Sequence, residues 1–103
     1  MSRHQYMIFV PTVDNDGIPF EYSAFKVIED EFIRVAGGFT AMRATGKWCN
    51  DSGIVFEDTH TAYILIVPST EPYVKRMSSI KHWLETLLRQ EQVFIVRSLV
   101  DIL

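Results

Sequence analysis

The chain of 103 residues is long enough to form one hydrophobic core and too short to form two, so we expect a single domain over residues 1–103. Hydrophobic residues make up 48% of the sequence and charged residues 22%, a balance that is typical of a soluble globular protein. The formal net charge of −3 supplies no positive field for a phosphate backbone, which disfavours nucleic-acid binding.

Cysteine content and hydropathy indicate the compartment. Cys49 is the only cysteine, which excludes an internal disulfide and fits a reducing cytoplasm. No apolar run approaches the roughly 18 residues that a membrane-spanning helix needs, and the N-terminal segment lacks a signal-peptide cleavage pattern. We therefore expect a cytoplasmic protein without a membrane partner.

The first third of the chain predicts a strand and a helix. The run QYMIFVPTV, residues 5–13, is apolar at both odd and even positions, which indicates a central strand covered on both faces. From Pro19 to Gly38 apolar residues recur at helical spacing. We expect Pro19 in the first helical turn and Gly37 just past the C-terminus of this helix.

The middle of the chain predicts a long hairpin. GFTAMRATGKW indicates a strand that starts near Gly38, CNDSG a turn, and IVFEDTHTAYILIV a further strand. Fully extended, the last run would span roughly 45 Å at about 3.3 Å per residue. Such a length predicts either a bulge or bend near residues 58–59 or a hairpin tip that projects from the body.

The remaining residues complete a recognisable order of elements. A helix is expected over residues 69–91, with Pro72 in its first turn, and a final strand over residues 92–103. The order β-α-β-β-α-β predicts a ferredoxin-like α+β plait, in which two helices cover one face of a four-stranded antiparallel sheet of order 4-1-3-2. The two central strands of this order are those with two apolar faces.

The face of the predicted sheet that lacks helices is expected to be apolar. It would carry residues from the set Ile8, Ile64, Ile66, Val93, Ile95 and Leu99. An exposed apolar patch of this size marks an association surface. We therefore expect a homo-oligomer, either a dimer or a trimer. The alternative is a monomer whose hairpin or C-terminal tail folds over this face.

The second predicted strand carries the best candidates for ligand binding. Arg43 can fork onto a carboxylate or phosphate, Lys47 adds a second cation, and Trp48 offers a face for stacking. These residues predict a small anionic metabolite or nucleotide at a subunit junction. In the alternative, Trp48 packs against a helix end and both cations stay in water.

Other residues give weaker indications. Asp58 and His60 point to the same side of a strand, but two ligands do not define a metal site, so we expect no metal, no cofactor and no catalytic residue. Cys49 is interpreted as a small filler. The glycines do not match a phosphate-binding loop, and Gly46 indicates a bulge or a close backbone approach.

One later segment is locally basic. It contains Lys75, Arg76, Lys81, His82 and Arg89. A solvated helix face is the ordinary interpretation of such a segment, and an anion-binding patch is the alternative.

The residues around the predicted hairpin form a pattern. It consists of Gly37-Gly38-Phe39-Thr40, Gly46-Lys47-Trp48, Gly53 and Glu57. This pattern resembles one in small uncharacterised bacterial and phage proteins, over residues 9–67, and the resemblance implies a plait-like α+β fold and no catalytic residue. At fold level the chain also resembles CutA-like and PII-like proteins, which are trimeric and bind small ligands at subunit clefts.

Three functions remain open from the sequence. The first is a small oligomeric binding or regulatory protein without catalysis. The second is a protein–protein interaction module that uses the apolar sheet face. The third is an enzyme of the α+β-barrel type, with Asp58, His60 or Tyr63 in a cleft.

Overall fold

The computed structural model describes residues 2–103 and contains the six expected elements in the expected order. They are β1 Ser2–Pro11, α1 Tyr22–Ala36, β2 Thr40–Cys49, β3 Val55–Pro68, α2 Glu71–Leu87 and β4 Phe94–Asp101. The strands form one antiparallel sheet of order β2-β3-β1-β4. This arrangement confirms the ferredoxin-like plait with β1 and β3 at its centre. Within the described residues, no helix has the length and apolar character needed to cross a membrane.

The end of α1 agrees with the prediction, whereas its start does not. Gly37 adopts a left-handed φ of 80° and donates its backbone N–H to the carbonyl of Ile33 over 2.8 Å. Pro19 lies outside the helix, in an isolated bridge with Val13. The carboxylate of Asp14 accepts the N–H groups of Asp16 and Ile18, so the loop closes on itself before the helix begins.

The core lies between the helices and one face of the sheet, which we call the covered face. The strands contribute Tyr6, Ile8, Val10, Tyr63, Leu65 and Val67, and the helices contribute Ile28, Phe32, Met77, Ile80 and Leu84. None of these side chains is more than 4% exposed. The alternation of strand residues therefore directs one apolar set of β1 and β3 onto the helices.

The opposite face of the sheet, the open face, carries large apolar side chains that no helix covers. Its members include Met7, Phe9, Met42, Trp48, Phe56, Ile64, Ile66, Phe94 and Val96. The predicted membership was correct for Ile64 and Ile66 and wrong for Ile8 and Ile95. The last two pair with each other, and Ile8 also pairs with Tyr63, which places both on the covered face.

The remaining two predicted members also lie elsewhere. Val93 precedes β4 and is buried in the core, and Leu99 pairs with His4 on the covered side of the sheet. Residues 6–10 of β1 and residues 93–96, around the start of β4, are apolar at both odd and even positions, so the sequence does not show which set of side chains the helices cover.

The hairpin of β2 and β3 projects from the body as an arm. Its pairing runs without a bulge from Thr40 opposite Ile64 to Cys49 opposite Val55. The Cα radius of gyration is 14.5 Å, against about 13 Å for a compact domain of this length. The length of β3 is therefore explained by a hairpin tip that projects from the body, which was one of the two expected outcomes.

Candidate functional site

The three predicted ligand-binding residues are exposed, but they do not share one face of the sheet. Arg43 pairs with Thr61 and Lys47 with Glu57, on the covered side of β2. Trp48, at a position of the opposite parity, pairs with Phe56 on the open face. Within one chain, Arg43 and Lys47 therefore project away from the surface that presents Trp48.

Trp48 belongs instead to a small cavity on the open face, which we call the aromatic cavity. It has a volume of about 160 Å³, and its lining includes Phe9, Ala44, Gly46, Trp48, His60 and Phe94. The ring of Phe9 lies 6.2 Å from that of His60, edge to face, and 6.1 Å from that of Phe94. The sheet register brings these rings together from four strands, so sequence proximity gave no sign of the group.

Gly46 sets the position of the indole. A Cβ placed on Gly46 would lie 3.1 Å from Cζ2 of Trp48, which is tighter than ordinary contact. The indole therefore lies against the backbone of its own strand, two residues back. Of the two expectations for Gly46, the close approach is confirmed and the bulge is wrong. The spacing G-x-W within a strand was the sequence signal for this contact.

A second, acidic cavity adjoins the base of the arm. Its volume is about 400 Å³, and its polar lining includes Asp14, Asn15, Glu57, Asp58, His60 and Gln90. His60 thus lines both cavities. Within residues 2–103, no three or more His, Cys, Asp or Glu residues are placed to hold a metal ion. The carboxylate of Asp14 already accepts two backbone N–H groups of its own loop.

Tyr63 lies apart from Asp58 and His60, although the sequence allowed one cleft for all three. Its side chain is fully buried on the covered face, and its hydroxyl donates to Oε2 of Glu29 over 2.7 Å. Burial is the main reason that the pKa of Tyr63 is raised well above its ordinary value, and the hydrogen bond to Glu29 raises it further. Phe32 packs against the Tyr63 ring at a centroid distance of 5.1 Å. These contacts make Tyr63 a structural residue of the core.

Cys49 and the basic segment are also located by the structure. Cys49 was interpreted as a small filler, but it is exposed on the arm and fills no space in the core. In α2, Lys81 and His82 both pair with Glu85. Glu85 also accepts the backbone N–H of Val93 over 3.0 Å, and these contacts hold the pKa of its carboxyl below the ordinary value. The segment is therefore only partly a free basic surface.

Comparison with known proteins identifies the fold and no closer relationship. No protein-family model matches the chain, and no curated protein does. A phage SAM lyase in complex with S-methyl-5′-thioadenosine superposes with a TM-score of 0.67 at 14% identity, over 93% of this chain and 80% of that one. At these identities the similarity shows a common fold.

Two CutA proteins are similar at the same level. The periplasmic divalent cation tolerance protein CutA of Archaeoglobus fulgidus gives a TM-score of 0.61 at 12% identity, over 99% of this chain and 84% of that one. CutA of Synechococcus elongatus gives 0.62 at 6% identity, over 94% and 75%. The expected resemblance to CutA at the level of fold is thereby confirmed.

Proposed function

We propose that the protein is a small homo-oligomeric binding protein that holds a purine nucleoside derivative at a junction between copies. The observation that carries the proposal is the aromatic cavity, in which Trp48, Phe9, Phe94 and His60 surround an apolar space on the open face. Ligand pockets are mostly apolar and aromatic, with a few polar groups for orientation, and His60 supplies such a group.

Trp48 provides the main contact for a flat base. Its indole lies against Gly46 and the residue is 52% exposed, so the ring is supported on the Gly46 side while part of the side chain stays accessible. Stacking of a base on an aromatic side chain contributes about 1–3 kcal/mol. Because every base has such a face, stacking favours nucleosides as a class without selecting one.

The size of the cavity supports a site that is shared between copies. Its volume of about 160 Å³ is below the range of about 300–1,000 Å³ that is usual for ligand pockets. The surrounding open face is uncovered, with Met42, Phe56 and Val96 exposed by 47%, 51% and 45%. A second copy that covers these side chains would also close the cavity.

Arg43 and Lys47 enter the proposal through a neighbouring copy. They project from the covered side of β2, opposite to Trp48. In an oligomer they would contact an anionic group, such as a phosphate, of a ligand bound on the Trp48 of the neighbour. This arrangement retains the three residues predicted from sequence and assigns them to two chains.

The fold comparison supports the ligand class. The phage SAM lyase of the same fold binds S-methyl-5′-thioadenosine, a purine nucleoside with a thioether group. A ligand of this kind presents a flat base for stacking on Trp48 and an apolar tail for contact with the other rings of the aromatic cavity.

Calorimetric titration with three nucleosides of different charge tests the proposal. S-methyl-5′-thioadenosine is neutral, AMP is anionic and S-adenosylmethionine is cationic. We expect saturable binding, a rise in thermal unfolding temperature with ligand, and a loss of affinity of about tenfold or more in Trp48→Ala. Tyr22→Ala, which removes an exposed ring of α1 that lies outside both the cavity and the open face, is the matched control.

The charge series separates the parts of the proposal. If the protein prefers AMP and Arg43→Gln abolishes this preference, then Arg43 contacts the phosphate of the ligand. Absence of binding by all three compounds overturns the proposed function. Chromatography of the S-adenosylmethionine mixture distinguishes binding from catalysis, because a non-catalytic protein returns the compound intact and an enzyme consumes it.

The second candidate function is the binding of a different protein through the open face. It is favoured by the exposure of Phe94 and Val96, which are 53% and 45% exposed on β4. Light scattering of the purified protein at micromolar concentration separates the two candidates. A mass of 11.9 kDa under these conditions favours a foreign partner over a second copy.

A further inference from the structure

A third cavity, with a different chemistry, lies on the covered side of the sheet, between α2 and β4. It has a volume of about 240 Å³ and is lined by Tyr6, Ser78, Lys81 and Arg97 together with apolar residues that include Met77 and Ile95. We call it the α2–β4 cavity. None of the described residues that line it is acidic. It shares no lining residue with the aromatic cavity, so different side chains form the two sites.

We propose that the α2–β4 cavity binds the phosphate group of a small phosphate monoester. The guanidinium of Arg97 and the ammonium of Lys81 provide the charge, and the hydroxyl groups of Tyr6 and Ser78 provide further donors. Arginine matches a tetrahedral oxyanion with two parallel N–H groups, and lysine adds a compact charge.

The hydroxyl of Tyr6 is the observation that points most directly to a ligand. Tyr6 is 4% exposed, and its hydroxyl is a buried polar atom with no hydrogen-bond partner among residues 2–103. Buried hydroxyl groups in proteins are nearly always paired. The neighbouring ring of His4, edge-on at 5.9 Å, also leaves its Nδ1 without a partner. A ligand oxygen that enters the cavity from the Arg97 side would accept a hydrogen bond from the Tyr6 hydroxyl.

Arg97 is placed for this role by the sheet register. It lies directly opposite Tyr6 in the pairing of β1 with β4, so the two side chains share the covered side. Arg97 is exposed and forms no ion pair with any of the described residues. Its guanidinium is therefore available to a ligand without breaking an existing contact.

Lys81 is oriented by α2. Its ammonium pairs with Glu85 one helical turn away, and Glu85 is held in turn by the backbone N–H of Val93. This chain of contacts fixes the lysine near the start of β4, although Glu85 also neutralises part of its charge.

The charge and the walls of the cavity select the ligand class. Arg97 and the part of the Lys81 charge that Glu85 leaves uncompensated attract an anion. A phosphate monoester carries a charge of about −1.5 to −2 at neutral pH, so it interacts with both cations more strongly than a singly charged carboxylate does. The apolar wall formed by Met77 and Ile95 accommodates a short apolar group attached to the phosphate. A compact organic phosphate therefore fits better than a free carboxylate.

Phenyl phosphate, inorganic phosphate and benzoate are the probes that test this proposal, each titrated calorimetrically at constant ionic strength. We expect phenyl phosphate to bind most tightly, inorganic phosphate more weakly and benzoate weakest. Arg97→Gln is expected to weaken phenyl phosphate binding by about tenfold. Lys75→Gln, an exposed cation of the same helix outside the cavity, is the matched control and should change affinity by less than about twofold.

Tyr6→Phe separates a ligand contact from a structural role. It keeps the ring in the core and removes only the unpaired hydroxyl, so the unfolding temperature without ligand should be unchanged or higher, while phosphate affinity falls about threefold to tenfold. If Arg97→Gln and Lys75→Gln weaken binding equally, the phosphate is an adventitious ion only, and the proposed site is overturned. So would a Tyr6→Phe protein that is less stable but binds phenyl phosphate as tightly as the original.

Discussion

Leu65 and Ile66 are consecutive residues of β3, yet Leu65 is completely buried and Ile66 is 41% exposed. They differ in the face of the sheet to which they point, because strand side chains alternate. The covered face has acquired its partner within the chain, from α1 and α2. The open face carries side chains of the same kind without such a partner, which is why we propose that it mediates association between copies.

Truncation of these two neighbours gives the largest expected difference. Leu65→Ala removes buried methyl groups from the core and should lower the free energy of unfolding by about 2–5 kcal/mol. Ile66→Ala should lower it by less than about 1 kcal/mol in the monomer, since that side chain already contacts water. Urea denaturation at low protein concentration measures both. Equal losses would show that the open face is covered within the chain.

A charge introduced on the open face tests whether this face, and not the helical side of the molecule, mediates self-association. Val96→Glu should weaken self-association by about tenfold or more, because burial of an unpaired carboxylate opposes the contact. Val27→Glu places the same charge on α1, at a side chain that is 51% exposed, and should leave association unchanged. Light scattering over a range of concentrations gives the result, and equal behaviour of the two variants contradicts the use of the open face.

The buried hydroxyl of Tyr63, on the covered face, should make the stability of the protein depend on pH. Its pKa is raised by burial and by the hydrogen bond to Glu29, so the folded protein keeps the proton while the tyrosine of the unfolded chain ionises near pH 10. The contribution to stability is therefore complete below about pH 10 and falls above it, by about 1.4 kcal/mol per pH unit at most. Tyr63→Phe should cost about 1 kcal/mol at neutral pH and remove this part of the alkaline slope.

Urea denaturation between pH 8 and pH 11 measures the slope. Tyr22→Phe is the control, because Tyr22 is 81% exposed and should leave the slope unchanged. If the free energy of unfolding of Tyr63→Phe falls with alkaline pH as steeply as that of the original protein, other groups cause the slope.

Gly46→Ala gives the smallest effect on stability and tests the open face. Alanine reduces the freedom of the unfolded chain, which stabilises by about 0.4–1 kcal/mol, but its Cβ meets the indole of Trp48 at 3.1 Å. The net change should be within about 1 kcal/mol. The displaced indole should shift the tryptophan emission and weaken nucleoside binding. Unchanged emission and affinity would mean that Gly46 does not position the ring.

The sequence predicted the plait because each element carries its own local signal. Gly37 marked the end of α1, helical spacing marked Ile28 and Phe32, and two-sided apolar strands marked β1 and β3. It could not assign a face to Ile8, because both faces of β1 are apolar and the choice depends on where the helices pack. Pro19 was misplaced because the local turn at Asp14 competes with helix initiation.

The candidate sites were less accessible from sequence, for a related reason. Phe9, Trp48 and Phe94 come from distant parts of the chain, and the sheet register brings them to one surface. Arg43 and Trp48 are close in sequence but have opposite parity, so proximity along a strand was misleading about a shared surface within one chain.

The register of the arm has a consequence for backbone dynamics. β1 reaches only as far as Pro11 opposite His60, so residues 55–59 of β3 pair with β2 alone over most of their length. A two-stranded ribbon is marginally stable in water, and its amide protons exchange through local opening. Amide protection should therefore fall from the base of the arm towards its tip in a dilute sample. If a second copy holds the arm, protection at the tip will rise with protein concentration, and hydrogen exchange then locates the contact residue by residue.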